Sequence, residues 1–407
     1  MSAHIVKITI AQLEPGMYVH DLSSEWTDVP FGKRFLVTDQ GMVERIRDFG
    51  IRELYVDTLK GNYPQGVSHP LPQVEQRLDH ELQQVVSEPE PEPQVSYMEE
   101  ISIARRVHEE AAVKVTSILH DARMGKRIEA EHLEPVVANM AQSIFRNPSA
   151  MMSLGRIRHV DQYTFEHSVS VGTFLIAFAK HLNFDENIIH HIGMGALLHD
   201  IGKTRVPDTI LNKPGKLSDE EFVVMKRHAQ YSGEILSQSK SLSSIAVEVA
   251  VQHHERFDGT GYPKGLKGAQ ISPYGQMAAV VDVYDAITSD RCYHKGEAPT
   301  AVLRKLLEWS KFHFNPTVVQ QFIKCVGIYP SGTLVKLKNK QLAIVLDSGP
   351  SKTLQPTIRV IFDTAQLKYV RPFTVDLQSD EGKFYGVTGF EDPAAWKIRV
   401  EDFIPRQ

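Results

Sequence analysis

The first sixty residues alternate between short apolar runs and polar turns. Runs rich in β-branched and aromatic residues recur at 5–10, 17–19, 35–37 and 54–56, and an amphipathic segment covers 43–49. Short runs of this composition predict strands, whereas apolar residues at every third or fourth position predict a helix. The pattern therefore predicts a small α/β module over residues 1–62.

A polar stretch follows over residues 63–96. It ends in alternating glutamate and proline at positions 88–93. Proline restricts the backbone angle φ, and the like charges of neighbouring glutamates repel one another. We therefore predict an extended Pro/Glu-rich linker over this stretch.

Helical periodicity begins after the linker. Apolar residues recur on one face between residues 103 and 118, and again between 133 and 144. This spacing predicts two helices, which form a helical connector over residues 97–150.

A longer succession of helices is predicted within residues 151–330. Ser218 and Glu221 have the spacing of a capping box, which marks the start of one of these helices. The predicted helices cover 158–182, 185–201, 218–237, 242–255, 276–289 and 300–326.

The tail of the chain, residues 331–407, changes back to β-type patterns. Apolar runs at 334–337, 342–346 and 358–361 predict strands of a β-rich C-terminal subdomain. The predicted fold class is therefore mainly α: a helical bundle with a small N-terminal α/β module and a β-rich C-terminal subdomain.

Composition narrows the class of protein. A chain of 407 residues with 42% hydrophobic and 23% charged residues is typical of a folded protein of two or three domains. A net charge of −5 shows no overall basic excess, so nothing in the composition points to binding of long nucleic acid. Neither an apolar run of about twenty residues nor a signal-peptide core is present, so we expect a cytoplasmic protein that does not enter membranes.

Candidate metal ligands fall on separate predicted helices within residues 151–330. Imidazole and carboxylate groups suit Mn, Fe, Ni or Zn, whereas a chain with only two cysteines disfavours a structural zinc site. Each histidine alone is more simply a packing residue, but adjacent His-Asp and His-His pairs together favour a site. Seven ligands suit two ions with Asp200 as the bridge. The candidates are His167, His199, Asp200, His228, His253, His254 and Asp282.

Two further features lie next to these ligands. Lys203 comes three residues after Asp200, where an ammonium group could hold a phosphate oxygen. The GYP loop, residues 255–268, follows the His-His pair directly. In that loop Gly259 and Gly261 allow tight turns, and Tyr262 offers an aromatic face.

Six motifs in this region resemble those of the HD-GYP family. They occur in the family order and cover residues 156–294. Residues 12–22, QLEPGMYVHDL, and the strand-helix-strand pattern after them are similar to a domain of unknown function of the DUF3391 type that precedes HD-GYP domains. The motifs are HSVSVG at His167, LHDIGK at His199, ILNKPGKL, MKRH at His228, HHERFDGTGYP, and VVDVYDAITSDRCY.

The resemblance implies an HD-type helical bundle that hydrolyses cyclic di-GMP to pGpG or onward to GMP at an iron or manganese centre. It places His167, His199, Asp200 and Asp282 on one metal. It places Asp200 with His228, His253 and His254 on the other.

The resemblance also assigns roles around the metals. Lys203 would contact the scissile phosphate and, with Asp200, carry the catalytic role. Arg291 would hold the substrate, and Tyr262 and His294 are further substrate-binding candidates. Asp285, one helical turn after Asp282, would support the ligands from behind.

Two departures from the family pattern refine these expectations. Members with a third metal carry an acidic residue one helical turn before the first histidine, and Tyr163 stands there in this chain. We therefore predict two divalent metals. His294 stands where a basic residue is commoner, and it is only partly charged near neutral pH, which bears on substrate specificity.

Other functions remain open at this point. The substrate could be another nucleotide, such as a mixed cyclic dinucleotide. The chain could instead be a nucleotide-responsive interaction module whose GYP loop contacts a diguanylate cyclase (GGDEF) protein. An HD-type di-iron oxygenase is disfavoured by the GTGYP sequence and Arg291. The pattern leaves a homodimer open.

Overall fold

The computed structural model describes most of the chain. It covers residues 4–22, 34–62, 66, 68–85, 93–155, 163–289, 296–348 and 354–405. In this part of the chain, no helix is both long and apolar enough to cross a membrane.

The N-terminal module, residues 4–62, has the α/β structure that its pattern predicts, and a short strand at residues 69–70 adds to its sheet. An antiparallel sheet in the strand order β3-β2-β4-β1-β5 packs its apolar side chains against the helix α1. Asp39 caps this helix by accepting a hydrogen bond from the backbone N–H of Met42 at 2.9 Å. The elements are β1 (Ile5–Thr9), β2 (Tyr18–Asp21), β3 (Phe35–Leu36), α1 (Gln40–Asp48), β4 (Glu53–Asp57) and β5 (His69–Pro70).

A helix within the predicted linker corrects the expectation of an extended chain. Residues Leu71–Val85 form α2, which packs against the helices that end the bundle. Val74, Leu78 and Leu82 recur every four residues and are all buried. This narrow apolar stripe is sufficient for a helix that packs on another surface, even though the surrounding composition is polar. Most of the Glu-Pro run lies outside the described residues.

A bundle of helices forms the centre of the molecule. Ser218 and Glu221 form the predicted capping box at the start of α9. The helices are α3 (Tyr97–Arg123), α4 (Glu134–Arg146), α5 (Pro148–Gly155), α6 (Tyr163–His181), α7 (Glu186–Leu197), α8 (Asp208–Leu211), α9 (Asp219–Leu236), α10 (Ser244–Gln252), α11 (Pro273–Thr288), α12 (Pro299–Trp309) and α13 (Pro316–Val326).

The predicted helix over residues 300–326 is wrong, because the chain forms two helices there. The first ends at Trp309, and Asn315 then caps the second by accepting a hydrogen bond from the N–H of Thr317 at 3.0 Å. Pro316 occupies the first position of the second helix, where its missing N–H costs nothing.

The C-terminal tail forms the predicted β-structure, an antiparallel sheet in the strand order β10-β6-β7-β8-β9. Side chains on β7 alternate between two cores: Leu342 and Ile344 join the core of the helical bundle, whereas Ala343 and Val345 join a smaller cluster. The strands are β6 (Leu334–Leu337), β7 (Gln341–Asp347), β8 (Thr357–Asp363), β9 (Lys368–Asp376) and β10 (Val387–Phe390).

Buried polar contacts join the N-terminal module to the helical bundle. Lys7 forms ion pairs with Glu308 of α12 and, at 2.5 Å, with Glu53. The hydroxyl of Tyr55 donates to the same Glu308 carboxylate at 2.8 Å. Because Lys7, Tyr55 and Glu308 are buried and in contact across the interface, they fix how the module sits on the bundle.

Candidate metal centre

The seven predicted ligands sit at the inner faces and ends of five helices. His167 lies in α6, His228 in α9 and Asp282 in α11. The pair His199-Asp200 follows the end of α7, and the pair His253-His254 follows the end of α10. Each side chain comes from a packed helix or from the residues directly after one, so the backbone that holds the cluster is rigid.

The first ligand group gathers His167, His199 and Asp282. Asp282 Oδ1 lies 3.1 Å from His167 Nε2 and 3.7 Å from His199 Nε2. All three side chains are buried, and their potential ligand atoms lie within 4.8 Å of one another. One divalent ion can be held at such a set of donors.

The second ligand group gathers His228, His253 and His254. The Nε2 atoms of His228 and His253 are 3.3 Å apart. The His254 ring lies 5.0 Å from that of His228, centroid to centroid, and the three potential ligand atoms again lie within 4.8 Å of one another. This group provides a second set of imidazole donors beside the first.

Asp200 lies between the two groups, and each of its oxygens faces one of them. Oδ2 is 3.5 Å from His199 Nε2 and 3.8 Å from His167 Nε2. Oδ1 is 3.5 Å from His228 Nε2 and 3.9 Å from His253 Nε2. A carboxylate in this position is suited to bridge two cations.

Three of the imidazoles are oriented by the same local contact. The Nδ1 atoms of His199, His228 and His253 each lie 2.7–2.8 Å from the carbonyl oxygen three residues earlier in the chain. Each Nδ1 therefore carries the proton and donates it to that carbonyl. The Nε2 lone pair of each ring is left to face the centre of the cluster, as in metal-binding histidines generally.

His167 is oriented by a carboxylate instead. Its Nδ1 lies 2.6 Å from Asp285 Oδ2, and Ser170 donates to the other oxygen of Asp285 at 2.5 Å. Asp285 thus stands behind the first ligand group, as expected from its spacing. Ser170 is a supporting residue that the sequence reasoning missed, although it lies one helical turn from His167.

Burial keeps four of the five rings neutral, which is the form that binds a metal. Burial lowers the pKa of His199, that of His228 to about 4 and that of His253 to about 3. Burial and the neighbouring His253 hold the pKa of His254 well below its usual range. These rings need not lose a proton before they bind a cation at neutral pH.

The carboxylates are ionised. Burial alone would favour the neutral acid at Asp200, but Lys203 and the surrounding histidines hold its pKa well below its usual range. His167 similarly lowers the pKa of Asp282, against the effect of burial. The cluster therefore combines four neutral rings with the two negative charges of Asp200 and Asp282, which suits divalent cations.

The donor set also contains buried atoms that need a partner. His199 Nε2 and Asp200 Oδ1 are both buried and have no hydrogen-bond partner among the described residues. Leaving a buried lone pair and a buried carboxylate oxygen unpaired is costly. Coordination of a metal would satisfy both atoms, so the residues present fit a divalent metal centre.

Of the predicted substrate-binding residues, Lys203 and Tyr262 lie at the cluster. Lys203 is on the turn after Asp200, with Nζ 2.6 Å from Asp200 Oδ2, and its side chain is 31% exposed. The Tyr262 ring lies 4.7 Å from that of His254, centroid to centroid. Arg291 and His294 lie outside the described residues.

The GYP loop folds back on the end of α10. The buried carboxylate of Glu255 accepts hydrogen bonds from the backbone N–H groups of Lys264 at 2.7 Å and Leu266 at 2.9 Å. The N–H of Tyr262 donates to the carbonyl of His254 at 3.1 Å. Glu255 therefore closes the loop beside the metal ligands, a role that the sequence reasoning did not assign.

Two family models match the chain. One, described as an HD domain, matches residues 139–318. The other, described as a domain of unknown function (DUF3391), matches residues 5–133, a range that includes α2 and α3 as well as the N-terminal module.

Known proteins are similar to this chain over different lengths. The cyclic di-GMP phosphodiesterase PA4108 of Pseudomonas aeruginosa is 39% identical over 399 residues, which cover 97% of this chain and 94% of that protein. A cyclic di-GMP phosphodiesterase of Thermotoga maritima is 39% identical over 165 residues, 40% of this chain and 45% of that protein. The 3′3′-cGAMP-specific phosphodiesterase 2 of Vibrio cholerae is 40% identical over 128 residues, 31% of this chain and 24% of that protein.

Proposed function

The chain belongs to the HD-GYP family of cyclic di-GMP phosphodiesterases, and we propose that it hydrolyses cyclic di-GMP to pGpG or onward to GMP. The observation that carries this proposal is the position of Asp200. Its two oxygens face two separate groups of histidines, which is the arrangement that a two-metal phosphodiesterase requires.

We propose that divalent metals bind at this centre, and their number and identity are part of the proposal. His167, His199, Asp200 and Asp282 would hold one ion, while Asp200, His228, His253 and His254 would hold the other. When bound, two such cations lower the pKa of water and stabilise negative charge on phosphate oxygens. We propose iron or manganese, with nickel or zinc as alternatives.

We propose two ions and not three. The expectation rests on Tyr163, which begins α6 one turn before His167 and provides no carboxylate there. Elemental analysis of the purified protein should give about two ions per chain, the number used by two-metal hydrolases. Three ions per chain would contradict this assignment.

Lys203 and Tyr262 would act on the substrate directly. The Lys203 ammonium group is partly exposed beside Asp200, so it can donate to a phosphate oxygen while it stays paired. Tyr262 lies against the ring of His254 beside the second ligand group, and there its ring would contact a guanine base. Arg291 and His294 remain predicted substrate-binding residues outside the described part of the chain.

Product analysis tests the proposal. Protein purified without oxygen and supplied with Mn²⁺ or Fe²⁺ should convert cyclic di-GMP to pGpG or GMP, as followed by chromatography. Asp200→Ala should lose metal and turnover together. Asp121→Ala is the matched control, because Asp121 is an aspartate with a surface ion pair to Lys126 at 2.7 Å.

Absence of turnover in metal-loaded protein would refute cyclic di-GMP as the substrate. The likeness to a 3′3′-cGAMP-specific phosphodiesterase supports a mixed cyclic dinucleotide as the second candidate. Turnover of 3′3′-cGAMP at a higher kcat/KM than cyclic di-GMP would favour that candidate over the first.

The remaining expectations concern partners and location. Contact between the GYP loop and a diguanylate cyclase (GGDEF) protein, formation of a homodimer and a cytoplasmic location stay predictions. An interaction module without turnover would bind cyclic di-GMP and leave it intact in the same product analysis.

A further inference from the structure

The C-terminal end of α1 lies against the GYP loop. This helix of the N-terminal module ends at Asp48, and Gly50 beyond it has a φ of +80°, a conformation that favours glycine. A Cβ added to Gly50 would lie 3.0 Å from Thr260 of the loop and 3.1 Å from the guanidinium of Arg256. A side chain at position 50 would therefore crowd this contact.

Arg256 forms the polar part of this contact. Arg256 is only 7% exposed, although its side chain carries a charge. Nη1 donates to the carbonyl of Phe49 at 3.2 Å and to Thr260 Oγ1 at 3.4 Å. One side chain thus joins the N-terminal module to the segment GTGYP.

The electrostatics favour this pairing. The last carbonyls of a helix carry partial negative charge, and Phe49 follows the last residue of α1. Burial lowers the pKa of Arg256, whereas the negative charge of Asp258 acts in the opposite direction and favours the charged guanidinium. Without the N-terminal module, Arg256 would lose the carbonyl that it faces.

Other contacts of the module reach the same loop. Arg52 forms an ion pair with Asp258 at 3.4 Å, and Asp258 in turn accepts hydrogen bonds from the N–H of Thr260 at 3.0 Å and from its hydroxyl at 2.7 Å. Phe49 packs against Phe222 of α9, with ring centroids 6.1 Å apart. The module therefore contacts the segment around Thr260 through two residues of the loop, Arg256 and Asp258.

The loop also connects Thr260 to the metal ligands. Gly261 lies so close to the backbone of Glu255 and Arg256 that it leaves no space for a side chain. The next residue, Tyr262, donates to the carbonyl of His254 and lies against its ring. A shift at Thr260 would therefore move Tyr262 relative to the second ligand group.

We propose that Arg256 is a positioning residue through which the N-terminal module fixes the GYP loop for substrate binding. The inference rests on the proposed phosphodiesterase function and adds a role for the module in it. Arg256 itself touches no reacting atom; it acts through Thr260 and Tyr262.

Steady-state kinetics test the proposal first. Arg256→Gln should lower kcat/KM for cyclic di-GMP by about tenfold, because small misplacements of a binding group have effects of this order or larger. The lower kcat/KM should result mainly from a higher KM, and the metal content should stay unchanged. Arg256→Lys should recover part of it, because an ammonium group can still donate to the Phe49 carbonyl.

Arg45→Gln is the matched control. Arg45 lies in the same module interface, where it pairs with Asp219 of α9 at 3.0 Å, and its side chain is exposed whereas that of Arg256 is buried. Its removal should leave KM and kcat unchanged. An equal rise in KM in Arg45→Gln and Arg256→Gln would overturn a specific role for Arg256.

A double-mutant cycle tests whether Gly50 of the N-terminal module and Arg256 of the loop act together. Gly50→Ala should also raise KM, because the added methyl group meets Thr260 and Arg256. Combined with Arg256→Gln, it should add little beyond the larger single effect. If the KM of the double variant instead rises by the product of the two single increases, the substitutions act independently and the proposal is overturned.

Hydrogen exchange separates this proposal from the function on which it rests. Peptides from residues 257–266 should exchange faster in Arg256→Gln and Gly50→Ala than in wild type or Arg45→Gln, whether or not the protein turns over cyclic di-GMP. If wild type has no activity but the exchange differs in this way, only the proposed function fails. Unchanged exchange in both loop variants would overturn the positioning role.

Discussion

The metal cluster and the GYP loop lie side by side but are held in different ways. Three of the cluster's imidazoles are fixed by carbonyls only three residues away on their own backbone. The loop is tied in part by Arg256, whose partner Phe49 lies 207 positions earlier in the chain. The cluster is thus determined by local helix geometry, whereas the loop depends on how a separate module docks.

This difference indicates that metal binding and substrate binding depend on separate parts of the structure. Ligands that are fixed by their own helices should hold metals even when the module interface changes. A loop fixed by distant contacts can change position without loss of the metals. Substitutions in the two regions should therefore separate into those that change metal content and those that change only substrate affinity.

Metal removal should have the largest effect and should act on the cluster alone. Chelation should abolish turnover and lower the melting temperature, because a bound ion stabilises the folded state by about 3 kcal/mol at a hundredfold excess over its Kd. Adding back Mn²⁺ should restore both. Turnover that persists in demonstrably metal-free protein would contradict the two-metal reading.

Asp285→Asn should weaken the cluster without removing a ligand. Asp285 orients His167 through Nδ1, and loss of such a supporting carboxylate typically lowers metal affinity or activity by about 10- to 100-fold. Metal titration followed by activity should show the shift. Asp219→Asn, at an exposed aspartate of α9, is the matched control; equal shifts in both variants would contradict the assignment.

Glu255→Gln should act on the loop and spare the metals. The amide has one acceptor oxygen where the carboxylate has two, so one of the hydrogen bonds from Lys264 and Leu266 is lost. Loss of a bond to a charged group weakens the closed loop by about 1.5–3 kcal/mol. KM should rise by about tenfold, a change of about 1.4 kcal/mol, while the metal content stays the same. A drop in metal content would instead show that Glu255 supports the metal ligands.

Lys226→Gln should have the smallest effect. Its ammonium group lies 5.9 Å from the centre of the Tyr262 ring, and an exposed cation–π contact contributes about 0.5–1 kcal/mol. KM should change by no more than about fivefold, which corresponds to the upper end of that range. A larger change would indicate that Lys226 contacts the substrate itself.

The sequence predicted the cluster well because its information is local. Adjacent pairs such as His199-Asp200 and His253-His254 carry a signal that periodic helices then bring together. The structure places all seven predicted ligands in one cluster, and the roles assigned to them stay predictions.

The sequence predicted less where the structure depends on distant packing. The helix α2 was missed because only the stripe Val74, Leu78 and Leu82 is buried within a polar segment, and its binding surface lies on α12 and α13. The contact between Arg256 and Phe49 leaves no local signal at all, because neither residue is unusual in its own segment. Topology alone brings them together.

The alternation on β7 limits how this protein can be divided. Leu342 and Ile344 complete the core of the helical bundle, while Ala343 and Val345 complete that of the sheet. A gene fragment that stops at residue 330 would therefore expose apolar surface on the bundle. Recombination between relatives would have to inherit the bundle and its β-rich tail as one unit.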